Sequence, residues 1–161
     1  MSMSKTVFRR AFAAMRSWNE SELVIDRKSK FQGRCVKINN QDEIPGILQE
    51  LVDTNKAVSK ASHPHMYAWR TGEVAHEEVS TGKRGKKGVK TETTVRGLQQ
   101  GFHDGGEAGA GQRLLTLLER SGLVNILVIV TRWYGGTPLG SARFRMIAAA
   151  AAESLKAAEG K

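Results

Sequence analysis

One cysteine, three prolines and an aromatic share of 6% are little for a chain of 161 residues. The lone thiol, Cys35, excludes an internal disulfide framework and fits a reducing compartment. It lies in the alternating segment FQGRCVKI, so it reads as a half-buried strand residue rather than a nucleophile. Long apolar runs are missing too. The longest, Ile126–Val130 and Ile147–Ala152, are far too short to span a bilayer, and no transmembrane helix is expected. Acids are scarce: 16 Asp+Glu against 25 Lys+Arg leave a net charge of +9. That balance favours anionic partners such as RNA, DNA or acidic protein faces. Much of the excess is local, at Lys5, Arg9, Arg10 and Arg16 near the N-terminus and at Lys83, Arg84, Lys86, Lys87 and Lys90 in one loop. The charge belongs to appendages more than to a patch woven through the core.

What is present is the composition of a globular domain, 40% hydrophobic and 25% charged, at a length that suits one domain. Residues 1–21 form a basic N-terminal helix or arm, and residues 22–159 a single domain with a basic loop insertion at about 72–98. Met1–Trp18 contains no acid, and Val7, Phe8, Phe12, Met15 and Trp18 fall at near-helical spacing. Three readings compete there: a helix lying on the domain, a mitochondrial presequence, and a helix for an anionic surface. The expected compartment is the cytoplasm, with the mitochondrion as the alternative that a presequence would bring.

Leu23–Ile25 and Phe31–Ile38 read as strands joined by the charged turn Asp26–Lys30. Asn39 and Asn40 cap a helix whose stripe Ile44, Ile47, Leu48, Leu51 and Val52 marks one buried face, with Pro45 tolerated in the first turn. His65–Arg70 alternates as a strand, with Pro64 at its start. His63 and His65 would share a face at that spacing, but no third ligand accompanies them, so no metal is expected. Gly72–Gln100 has no hydrophobic period and reads as a solvated insertion or a phosphate-tracking arm, with Val89–Val95 able to form part of a hairpin.

Chemistry concentrates between His103 and Arg145. HDGGEAGAG precedes the apolar stripe Leu114, Leu115, Leu117 and Leu118; its glycines allow close backbone approach, and a helix start attracts anions. Asp104 and Glu107 have the wrong sign for a phosphate cradle, and neither the lysine of a P-loop nor a dinucleotide fingerprint is present. The two acids then serve as helix caps or as hydrogen-bond acceptors. VNILVIVT (residues 124–131) is a central strand covered on both faces. It runs into Arg132, Trp133 and Tyr134, with Gly135 and Gly136 to turn the chain. An arginine with two aromatics at such a turn either grips a base or phosphate or packs on a neighbouring helix. Arg143 and Arg145 open an alanine-rich helix from Ser141 to about Ala158.

Four segments, DRKSKFQGR (26–34), SHPHMYAWR (62–70), DGGEAGAGQRLL (104–115) and VIVTRWYGGTPLGSARF (128–144), make the chain resemble the IMPACT family in its ancient domain. The resemblance implies an α+β two-layer sandwich, a mixed β-sheet with helices on one face, similar to the second domain of small-subunit ribosomal protein five. It also implies translational and stress-response regulation, since eukaryotic members compete for the activator of the amino-acid-starvation kinase. In those members an RWD domain carries much of that binding. The resemblance begins near Leu23, so this chain is expected to lack it. One departure stands out: where the family usually has two adjacent aspartates, this chain has Asp104 and Gly105.

The expected function is a non-enzymatic binding or regulatory protein contacting RNA, a ribosome-associated partner or a protein of translational control, without a cofactor. Its binding residues would come from Asp104, Glu107, Arg113, Arg132, Trp133, Tyr134, Gly135, Gly136, Arg143 and Arg145, with the Lys83–Lys90 run beside them. The alternative is a hydrolase-like enzyme of small molecules using the turn at 103–111, with His103 as acid or base beside Arg132.

Overall fold

The computed structural model describes residues 18–80 and 88–159. Among these residues six strands make one sheet: β1 (Asn19–Glu20), β2 (Val24–Asp26), β3 (Ser29–Lys37), β4 (His63–Ser80), β5 (Val89–His103) and β6 (Ile126–Trp133). Their order is β1-β3-β6-β4-β5, with β2 also on β3, and each of these pairings is antiparallel. The helices are α1 (Ile44–Thr54), α2 (Lys56–Ser59), α3 (Ala110–Ser121) and α4 (Ala142–Glu159).

β6 is the central strand that the VNILVIVT run predicts, and its alternation feeds two cores. Val128 and Val130 join Phe31, Cys35, Met66, Leu114, Leu118 and Ile147 beneath α3 and α4. Leu127 and Ile129 join Val36, Ile44, Ile47, Leu51 and Val58 on the reverse face. The α+β class is as expected, and the two long helices do share a face. Two particulars of the layering change. The described pairings are antiparallel rather than mixed, and α1–α2 cover the second face. The cause is β6 itself, apolar on both sides, which gives the α1 stripe a surface to bury against. Asn40 starts that segment with a capping box: its side chain accepts from Asp42 N at 2.9 Å, while Glu43 accepts from Asn40 N at 2.9 Å. On the other face the alanines of α4 come so close to β3 that a Cβ at Gly33 would stand 2.2 Å from the Ala150 carbonyl oxygen.

The expected strand His65–Arg70 is a fragment of a much longer one. β4 and β5 pair from Tyr67↔His103 out to Ser80↔Val89, with one irregularity between Thr71 and Glu73. Most of the stretch read as a solvated insertion is therefore an extended hairpin. Its hydrophobic period is absent because beyond Gly72 the ribbon has left β6, and residues such as Glu73, Val74, Glu77 and Val89–Thr93 are exposed. Backbone pairing rather than burial holds it. Asn125, in a left-handed conformation (φ 59), fastens its base: the side chain accepts from Gly72 N and donates to Gly72 O, both at 3.0 Å. Lys90 is exposed on β5 opposite Val79, whereas Lys83, Arg84, Lys86 and Lys87 lie outside the described residues, as do the expected N-terminal helix residues before Trp18. No described helix is long and apolar enough to cross a membrane.

Candidate functional site

The acidic glycine turn packs against the start of β4. Gly105 (φ +60) lies so close that a Cβ would stand 2.2 Å from the His65 carbonyl oxygen, and a Cβ on Gly106 (φ +91) would stand 2.6 Å from His63 Nδ1. That approach drives Glu107 inward, where it is only 2% exposed. Arg132 Nη1 donates to Glu107 Oε1, Arg143 Nη1 donates to Oε2 at 2.8 Å, and His63 Nε2 stands 3.4 Å from Oε1. Arg132, also buried, donates to Ser29 Oγ at 3.3 Å, and its guanidinium lies over Phe31 (5.2 Å) and Tyr134 (5.3 Å). Arg143 and Arg113 lie over the Phe144 ring at 4.8 and 3.7 Å, and Arg113 also donates to the Gly109 carbonyl at 3.1 Å.

Of the two acids, Asp104 is a cap: its Oδ1 accepts from Gly111 N at 2.8 Å. Glu107 is an ion-pair hub tying the start of α3 to the end of β6 and the start of α4. A buried carboxylate held by two guanidiniums is strongly bound to its partners and poorly placed to abstract a substrate proton.

His63 and His65 do not share a face. His63 pairs with Arg132 and Met66 with Val130, so three residues of β4 span two of β6. This bulge at Pro64, whose carbonyl accepts from Thr131 Oγ1 at 2.9 Å, turns His63 toward Glu107. Nδ1 of His63 lies 3.0 Å from the Gly105 carbonyl. His65 is left half-buried elsewhere, its pKa lowered first by burial and then by the charge of His103. His103, the acid or base of the alternative enzyme reading, accepts from Gly105 N at 3.1 Å through Nδ1 and stacks on Tyr67 at 5.5 Å. The histidine at the acid is thus His63, and the proline between the two histidines was the available signal. Among the described residues, no group of three or more His, Cys, Asp or Glu could hold a metal.

The rest of the corner makes its own set of contacts. Trp133 Nε1 donates to the Ala57 carbonyl at 2.7 Å, Tyr134 N to Ser62 Oγ at 2.9 Å and Gly135 N to Ser29 Oγ at 3.1 Å. Gly136 takes φ +94 in open space. Trp133 and Tyr134, with Lys28, Lys30 and Gln32, line a groove of about 410 Å³. Tyr134 is 48% exposed. Arg145 is exposed on α4, apart from the Glu107 pairs.

The family model of the Impact N-terminal domain matches residues 27–155. The chain belongs to the IMPACT family. IMPACT family member YDL177C of Saccharomyces cerevisiae is 57% identical over 153 aligned residues, covering 86% of this chain and 90% of that protein. Protein IMPACT-B of Xenopus tropicalis is 33% identical over 126 residues, 78% of this chain, which spans only 33% of that protein's length. A crystal structure of a hypothetical protein shares the fold at a TM-score of 0.56 and 22% identity, covering 88% of this chain and 61% of that one. The two-domain translational regulator Yih1 is 27% identical over 86% of this chain and 46% of its own, at a TM-score of 0.46.

Proposed function

We propose that this IMPACT-family chain is a non-enzymatic binding module of translational control and the stress response, acting in the cytoplasm by contacting RNA or an RNA-bearing ribosomal partner. One observation carries the reading. The corner that closes β6 seals its acid and its arginine inward, and presents lysines and aromatics outward. Glu107 is occupied by Arg132 and Arg143 and Asp104 accepts from Gly111 N, so both acids of the turn at 103–111 have structural partners. The outward side combines cationic and aromatic groups, the combination that single-stranded nucleic acid binds. The net charge of +9 adds long-range attraction for a polyanion. Family membership supplies the translational setting.

The test is an ultraviolet-crosslinking pulldown of the full chain from cells, with and without RNase. The expected result is crosslinked RNA, and ribosomal partners that are lost on RNase treatment. Partners that survive RNase, with no crosslinked RNA, would replace the RNA reading with a protein-binding one.

A further inference from the structure

The turn joining β2 and β3 departs from ordinary turn chemistry. Arg27 (φ 47) and Lys28 (φ 69) both occupy the left-handed region. Those are the two central positions of a type I′ hairpin turn, where Asn-Gly is the favoured pair. Two long cationic side chains stand where small residues are preferred, and such strain persists only where surrounding structure holds it. Here it is held from one side. A Cβ at Gly135 would stand 2.2 Å from the Lys28 carbonyl carbon and 2.4 Å from Ser29 N, so this glycine is pressed against the turn backbone. Ser29 Oγ accepts from both Gly135 N and Arg132.

The clamp sets the shape of the groove. Lys30 is the cross-strand partner of Trp133, and Lys28 extends the same wall from the turn. The facing aromatics are held in place: Trp133 by its bond to the Ala57 carbonyl, Tyr134 by its backbone bond to Ser62 and by Arg132 at 5.3 Å from its ring. Cations and a pre-positioned ring therefore stand side by side in a concavity of ligand size. An acidic peptide would use the lysines but has no need of an exposed ring. A nucleotide uses both, its base on the ring and its phosphate on the cations.

We propose that this groove is a subsite for one nucleotide of single-stranded RNA, with the base stacked on Tyr134 and the flanking phosphate held by Lys28 and Lys30. The proposal rests on the RNA-binding reading above and says where that contact is made.

The experiment measures binding of a fluorescent single-stranded oligouridylate to the full chain by anisotropy at low salt. Four variants are compared: Tyr134→Ala, Tyr134→Phe, Lys28→Gly combined with Lys30→Ala, and Lys156→Ala on the exposed side of α4. Lys28→Gly removes the charge while suiting the left-handed backbone, so loss of the turn is not the cause of any loss of binding. Tyr134→Ala is expected to weaken binding on the order of tenfold, and Tyr134→Phe to restore it. The paired lysine variant is expected to weaken binding and to lower the slope of log K against log salt by about 1 to 1.5. Lys156→Ala should bind as the parent does. RNA held equally well by the Tyr134→Ala and lysine variants would overturn the groove assignment while leaving RNA binding standing. Equal competition by polyglutamate, indifferent to Tyr134→Ala, would overturn it in favour of acidic peptide. No RNA binding by the parent chain would overturn both readings.

Discussion

Glu107 and Arg132 are buried together and hydrogen-bonded across 25 positions of sequence. The first belongs to the acidic glycine turn and the second to the strand end that opens RWYGG, so two of the four segments that carry the family resemblance are one structural unit. Arg143, the first turn of α4, completes it. Three elements distant in sequence are thereby fixed at one corner, and the groove is built on its outer side.

Removing the carboxylate should unfold that corner. Glu107→Ala leaves Arg132 buried and without its ion-pair partner, and should lower the unfolding free energy by about 3–5 kcal/mol. Replacing both groups, Glu107→Leu with Arg132→Met, should regain most of that loss. Urea denaturation measures each. A Glu107→Ala protein of parental stability would show that the acid is not structural, and would reopen a catalytic role for it.

The clamp on the β2–β3 turn can be tested by a single methyl group. Gly135→Ala places a Cβ against the backbone of Lys28 and should cost about 1–3 kcal/mol, as overpacking does. Gly136→Ala, in open space, meets only the strain of its positive φ. Thermal melts of the two should rank Gly135→Ala as the more damaging.

Restoring the family's second aspartate should harm this chain. Gly105→Asp puts a Cβ 2.2 Å from the His65 carbonyl oxygen. Gly97→Asp imposes nearly the same backbone angle, φ +62 against +60, with nothing within 4 Å. The Gly97 variant should cost about 1 kcal/mol of backbone strain, and the Gly105 variant clearly more. Equal costs would mean that the turn at 104–106 moves freely away from β4.

Acid should destabilise the protein through His65. Burial, and then the charge of His103, hold its pKa below the usual 6.5, so the unfolded chain binds the proton more readily than the folded one. The stability contributed by the neutral ring is fully present above about pH 6.5 and is lost as the pH falls toward the lower folded-state pKa. His65→Asn should flatten the fall in denaturation midpoint between about pH 7 and pH 5, relative to the parent.

Legibility in the sequence followed burial. β6 was plain because VNILVIVT is apolar on both faces, and α3 and α4 followed from the leucine stripe and the alanine run. The β4–β5 arm was not, since residues such as Val74 and Glu78 on it are exposed and leave no period to read. His63 was misplaced because a bulge, invisible to strict alternation, turns it away from the face of His65. Arg132, Trp133, Tyr134 and Glu107 were legible as candidates, and the fold brings them to one corner. That Glu107 would neutralise Arg132 depends on contacts between segments, and so does the pairing of Lys30 with Trp133. The turn within Asp26–Lys30 was legible, but its left-handed geometry at Arg27–Lys28 was not, because it lacks the Asn-Gly that marks such turns.

The most direct test of the central claim is the affinity of the purified full chain for single-stranded RNA across a salt series. Contact with phosphates through Lys28, Lys30 and the other cations predicts measurable binding that falls steeply and linearly in log–log form, by about 0.7 per phosphate neutralised. Absent binding, or affinity that stays flat as salt rises, would contradict it.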